Sequence, residues 1–141
     1  MAGSIKDLSA YRYVRACEDL ENAKDLLAED KFRLALNRSY YAIFYAMRSV
    51  NALDEFDSRK HSGVIAHFNQ YHVKTGEFPK ELSHIIRYAS EMRENADYRD
   101  FFIASKEEAA EQIKNAEVFL NYTASYLISK GILAPQAETV S

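Results

Sequence analysis

Three short clusters in this sequence hold residues able to handle phosphate or protons. The first is Arg93-Glu94-Asn95-Ala96-Asp97-Tyr98-Arg99-Asp100. Guanidinium groups grip phosphate through paired N–H donors. The carboxylates and the phenol add acceptors and a hydroxyl within the same stretch. A charge run is usually a solvated face, so a plain surface is the competing reading. The second cluster is Arg38-Ser39-Tyr40-Tyr41-Ala42-Ile43-Phe44-Tyr45-Ala46. Tyrosines at helical spacing fill cores and bond their hydroxyls at the rim. Arg38 resists that explanation, because a guanidinium among apolar neighbours needs a carboxylate or phosphate partner. The third is Lys60-His61, where a lone histidine on an apolar stripe also fits a packed core residue.

Other chemistries find no support. His61 and His72 share a helical face but lie about three turns apart, roughly 16 Å at 1.5 Å per residue. That is too far for one metal, and His67 and His84 fall on other faces. With no H-x-x-x-H or H-E-x-x-H pair, and Cys17 alone, neither a metal, a cofactor nor a disulfide is expected. There is no glycine-rich phosphate loop and no G-x-S-x-G elbow.

Helices must position these clusters. Only 4 Gly and 2 Pro occur in 141 residues, too few for the many turns of an all-β fold. Apolar residues recur three and four apart. They predict helices over Lys6–Glu29, Phe32–Leu53, Arg59–Lys74, a fourth opening near Pro79, and a fifth ending at Lys130. The second carries the widest apolar face, with Leu36, Tyr40, Ile43, Met47 and Val50, so it should be central. Asp57 or Ser58 is expected to cap the third, and Gly76 and Gly131 to end the third and fifth. Ser105-Lys106-Glu107-Glu108 reads as a capping box. The stretch Asn95–Ala104, polar and then aromatic, reads as a long connection. Short loops between long helices imply an all-α, up-and-down bundle of about five helices.

Size and composition set outer limits. One domain over 1–141 is expected, with an ordered core over about 5–131 and a loose tail over 132–141. Net charge is −3, from 18 basic and 21 acidic side chains, so any nucleic-acid surface must be a local patch. No apolar run of transmembrane length occurs and the N-terminus lacks a signal-peptide core, so the expectation is a cytoplasmic chain without a membrane partner.

Taken together the clusters resemble the HEPN family, in particular its small stand-alone prokaryotic members. Arg38-x-Tyr40-Tyr41-Ala42-x-Phe44, Lys60-His61-Ser62-Gly63-Val64 and Arg93-x-x-Ala96-Asp97-Tyr98 carry the resemblance, which spans about residues 5–130. It implies a helical bundle that forms homodimers and pairs with a minimal nucleotidyltransferase as a toxin–antitoxin or defence-like couple. Active HEPN domains are metal-independent ribonucleases whose signature is an arginine followed, four to six residues on, by a histidine. Here Arg93 matches the arginine and Tyr98 stands where the histidine is expected. The resemblance therefore marks Arg93 and Tyr98 as candidate catalytic residues. Arg38, Tyr41, His61 and Asp97 become candidates for binding or supporting RNA or a nucleotide in a dimer groove, with Arg38 orienting Asp97. A non-catalytic module that binds nucleotide or docks a nucleotidyltransferase is the rival, and a plain bundle with an Arg38–Asp97 ion pair is the third reading. Phe101 and Phe102 hint at an interface.

Overall fold

The computed structural model describes residues 2–135. Five α-helices follow one another: α1 (Ala2–Ala28), α2 (Phe32–Ala52), α3 (His61–Phe68), α4 (Glu81–Tyr98) and α5 (Lys106–Ser129). A π-helical turn, Asn69–Val73, extends α3. No strand occurs among the described residues. No helix there is long and apolar enough to cross a membrane.

The bundle is built around α2, which packs on α1, α3, α4 and α5. Its position follows from its wide apolar face: Leu36, Tyr40, Ile43, Met47 and Val50 are all buried. Small residues let α1 come close, since Ala16, Ala23, Ala35, Ala42 and Ala46 are fully enclosed. Two serines then pin the crossing reciprocally. Ser9 Oγ donates to the Ser49 carbonyl at 2.8 Å, and Ser49 Oγ donates to the Ser9 carbonyl at 2.7 Å. On the other side, buried Gln112 of α5 donates to the Leu36 carbonyl at 2.8 Å and to Ser39 Oγ at 2.9 Å. These bonds form away from water, which fixes helix register as well as contact.

Helix ends follow the backbone accounting of their last carbonyls. After α1, Asp30 takes a left-handed conformation (φ 60°), and the Lys31 amide returns to the Leu26 carbonyl at 2.9 Å. After α2, Glu55 does the same (φ 57°), with the Phe56 amide on the Asn51 carbonyl at 3.2 Å. Gly131 closes α5 in this way at φ 75°. The expected capping box is formed: Glu108 N donates to Ser105 Oγ at 3.0 Å, and Ser105 N to Glu108 Oε1 at 2.9 Å.

Three local expectations change. α3 begins at His61 with Lys60 as its N-cap residue, so neither Asp57 nor Ser58 caps it. Asp57 faces Arg12 and Arg48 instead. α4 opens at Glu81, after a turn through Pro79 and Lys80. It also runs on to Tyr98 rather than yielding near Asn95, because buried Ala96 and the Arg93–Asp97 pair carry its last turns. The connection to α5 is correspondingly short. Of the expected loose tail, residues 136–141 lie outside the described residues, whereas Ile132 and Leu133 pack partly buried against the core.

Candidate phosphate site on α2 and α4

Because α4 stays helical, Arg93, Asp97 and Tyr98 occupy one helix end facing α2. The Arg93 guanidinium lies 5.3 Å from the Tyr40 ring centre and 5.8 Å from those of Tyr41 and Tyr98. Its Nη2 donates a long bond, 3.5 Å, to the Tyr98 hydroxyl. Its Nε is 3.4 Å from Asp97 Oδ2, an ion-pair distance without hydrogen-bond geometry. Arg93 is thus held by aromatic faces more than by strong hydrogen bonds, which leaves donors for an anion. Tyr98 is 70% exposed, so its hydroxyl opens to solvent.

A polar relay supports this centre from behind. Asn37 Nδ2 donates to both Asp97 oxygens at 3.2 Å. Asn37 Oδ1 in turn accepts from Arg38 Nε at 3.0 Å and Nη2 at 2.7 Å. Arg38 lies over the Tyr41 ring at 4.9 Å and reaches Asp19 Oδ1 at 3.4 Å. Arg38 therefore acts on Asp97 through Asn37. Among the described residues Arg38 pairs with Asp19 and Asp97 with Arg93, so the ion-pair version of the plain-bundle reading is not what forms. Asp19 is buried, and its Oδ2 lacks a hydrogen-bond partner. Burial raises its pKa, against the opposing pull of Arg38 and Arg15.

His61 closes the other side. Its ring stacks on Phe44 at 4.2 Å and meets the edge of Tyr41 at 5.8 Å. Its Nδ1 is 2.8 Å from the Tyr40 hydroxyl. Burial lowers its pKa first, and the positive charges of Arg93 and Arg48 lower it further, so the imidazole is neutral at neutral pH. Burial pushes the Tyr40 phenol up to about 12, so it keeps its proton. When that hydroxyl accepts Nδ1–H, the His61 Nε2 lone pair is left free.

Tyr41 and His61 also form one wall of a surface cleft of about 560 Å³, whose other walls include Phe44, Tyr45, Arg48 and Arg59. Asp57 at its edge accepts from Arg12 and Arg48, each at 2.9 Å. Arg15 lies 4.4 Å over the Tyr45 ring. A continuous arginine–aromatic surface therefore joins the Arg93 centre to this cleft.

All six candidate residues, Arg38, Tyr41, His61, Arg93, Asp97 and Tyr98, come together here. Sequence reasoning missed Asn37 and Asp19. Asn37 was legible only as the residue preceding the Arg38 cluster, and Asp19 as a carboxylate on α1 one side removed from its apolar stripe. Phe101 is 96% exposed and Ile103 87%, both just past Tyr98, while Phe102 packs partly against the core.

The HEPN domain model matches residues 10–126. A protein of Methanocaldococcus jannaschii named as a putative toxin is 36% identical over 119 residues, 84% of this chain and 81% of that protein. A UPF0332 protein of Thermotoga maritima is 38% identical over 107 residues, 76% of this chain and 81% of its own length. A second Methanocaldococcus jannaschii protein named as a putative toxin is 34% identical, covering 74% of this chain and 77% of that protein. With the helical bundle and the clustered motifs in place, this chain belongs to the HEPN domain family.

Proposed function

We propose that this chain is a toxin-type HEPN protein that binds RNA along the arginine–aromatic surface and cleaves its backbone at Arg93 without a metal. The carrying observation is the half-buried Arg93 guanidinium, ringed by Tyr40, Tyr41 and Tyr98 yet short of strong hydrogen bonds. Aromatic faces for bases beside cations for phosphates are what single-stranded nucleic acid requires. The names of the archaeal relatives support the toxin reading.

In this reading Arg93 neutralises the charge that builds on the non-bridging phosphate oxygens, and the Tyr98 hydroxyl helps seat the phosphate. Neutral His61 takes the ribose 2′-hydroxyl proton on Nε2, and the resulting imidazolium returns a proton to the departing 5′-oxygen. Asp19, Arg38, Asn37 and Asp97 hold the centre in place. The exposed Phe101 and Ile103 support an interface there between two copies in the cytoplasm, which would set two centres across one groove.

The test is cleavage of RNA by EDTA-treated protein beside the Arg93→Ala variant. Metal-independent cleavage lost in the variant sustains the reading. A protein that binds RNA but never cuts it supports the second reading instead, a nucleotide-binding or nucleotidyltransferase-docking module. The accessibility of the Tyr98 hydroxyl favours that rival, because such a group is open to modification by a partner enzyme. A Tyr98→Phe variant still labelled by a small nucleotidyltransferase would exclude that role for Tyr98.

A further inference from the structure

A second cluster, apart from the Arg93 centre, sits where the α2–α3 loop meets the π-helical turn. Asp54 Oδ2 lies 2.9 Å from His67 Nε2 and 2.6 Å from His72 Nε2. These three donor atoms all fall within 4.8 Å of one another. The other nitrogen of His72, Nδ1, is 2.6 Å from Glu77 Oε1. We propose that Asp54, His67 and His72 form a binding site for a divalent transition-metal ion such as Zn²⁺, with Glu77 orienting His72 from behind.

Four observations converge. Two imidazoles and one carboxylate are a donor set suited to zinc and its neighbours, and three protein ligands leave one coordination position for water. Glu77 on the far nitrogen of His72 reproduces the carboxylate–histidine–metal arrangement, which fixes the tautomer that presents Nε2 to the ion. The backbone is bent to bring the ligands together. On a regular α-helix, residues five apart point about 140° from one another, which is why His67 and His72 read as lying on different faces. The wider π turn, marked by the Lys74 amide on the Asn69 carbonyl at 2.9 Å, narrows that offset. Such turns are rare and concentrate at functional sites. Finally, both rings are held by packing: His67 stacks on Phe56 at 4.0 Å, and His72 is buried against Phe78 at 6.2 Å.

The charge balance agrees. His72 is buried with a carboxylate oxygen against each ring nitrogen. A cation at Nε2 offsets the charge of both carboxylates. The fit requires a small opening. Tetrahedral ligands at about 2.0–2.1 Å from zinc stand about 3.3 Å apart, so the Asp54 contacts must lengthen by about half an ångström. Asp54 lies on the loop and is partly exposed, so it can move by that amount.

The experiment titrates the EDTA-stripped full chain with Zn²⁺ by calorimetry, and with Co²⁺ by visible absorption. One ion per chain is expected, with the intense bands of four-coordinate cobalt. His67→Ala and Asp54→Asn are expected to abolish both signals, and Glu77→Gln to weaken affinity about 10–100-fold. His72 is too buried for a safe truncation, so His67, at the surface side, carries the test, with circular dichroism to establish that the variants fold. His84→Ala, exposed on α4, keeps the site. Absence of stoichiometric binding overturns the proposal, as does binding that survives both His67→Ala and Asp54→Asn.

Discussion

Replacing Arg93 by alanine separates a binding residue from a structural pin. The structural contribution is modest. Three cation–ring contacts at 5.3–5.8 Å, in a half-buried setting, and a non-hydrogen-bonded ion pair at 3.4 Å are all that the described contacts attach to the guanidinium besides the 3.5 Å bond. Together these amount to about 1–2 kcal/mol, and alanine returns a little helix propensity. A chain of this size should therefore melt about 3–8 °C lower. Losing a charged, two-pronged phosphate contact removes about 1.5–3 kcal/mol of binding, or roughly 10–150-fold in RNA affinity. The slope of log affinity against log salt should also fall by about 0.7, one phosphate on a single strand. Arg93→Lys keeps the charge and so the slope, but loses the fork and part of the affinity. Fluorescence anisotropy of a labelled single-stranded RNA over a salt series, run beside thermal melts, reads all three. Unchanged affinity and slope in Arg93→Ala, with a melting point more than about 10 °C lower, would refute the reasoning.

Other consequences are open to direct measurement. Asp19 has a raised pKa, so its ionised form weakens the fold above the unfolded value near 3.9 and the penalty disappears as pH falls. Asp19→Asn should therefore not lower the melting point at pH 7, while RNA affinity drops several-fold as Arg38 loses its anchor; a clear fall in stability contradicts this. His61 has a lowered pKa, so the stability it contributes is present above about pH 6.5 and is lost as pH falls toward the folded value. Its NMR titration should have a midpoint below 6.5 that moves up in Arg93→Ala, and an unmoved midpoint would uncouple the two residues. Glu55→Gly relieves a left-handed residue at φ 57° and should stabilise by about 0.5–1 kcal/mol, raising the melting point about 2–4 °C; a lower melting point counts against that account of the α2 terminus.

Helical periodicity made most of the architecture readable, because the stripes of α2, α4 and α5 and most of that of α1 map onto buried faces, while His61 and Ile65 of the α3 stripe stay partly exposed. Tyr13, Ala16, Leu20 and Ala23 on α1, and Leu36 through Val50 on α2, are examples. The capping box was readable for the same reason, since its chemistry is local. What escaped depended on contacts across helices or on departures from a 100° step. Polar Asn95 and Asp97 suggested a breaking helix, yet Asp97 is held by Asn37 from α2, sixty residues away. His67 and His72 read as divergent because nothing in their types announces a π turn. The charged stretch holding Arg93 and Tyr98 was legible in the sequence and their pairing came from the family resemblance, whereas the Asp19–Arg38–Asn37 support behind it required knowing that α1 and α2 pack side by side.

The arginine–aromatic surface also gives the molecule a polarity that its total charge conceals. Arg12, Arg15, Arg38, Arg48, Arg59 and Arg93 gather on one side, interleaved with Asp19, Asp57 and Asp97. A chain whose net charge is −3 is thereby left more acidic, on balance, over its remaining residues. Such a body is an electric dipole. In the field of a polyanion it turns its basic side forward before contact, while its acidic back resists attachment in any other pose. For the RNA-binding role proposed above, diffusion would then deliver an already oriented encounter, and the negative surplus would filter out misplaced binding.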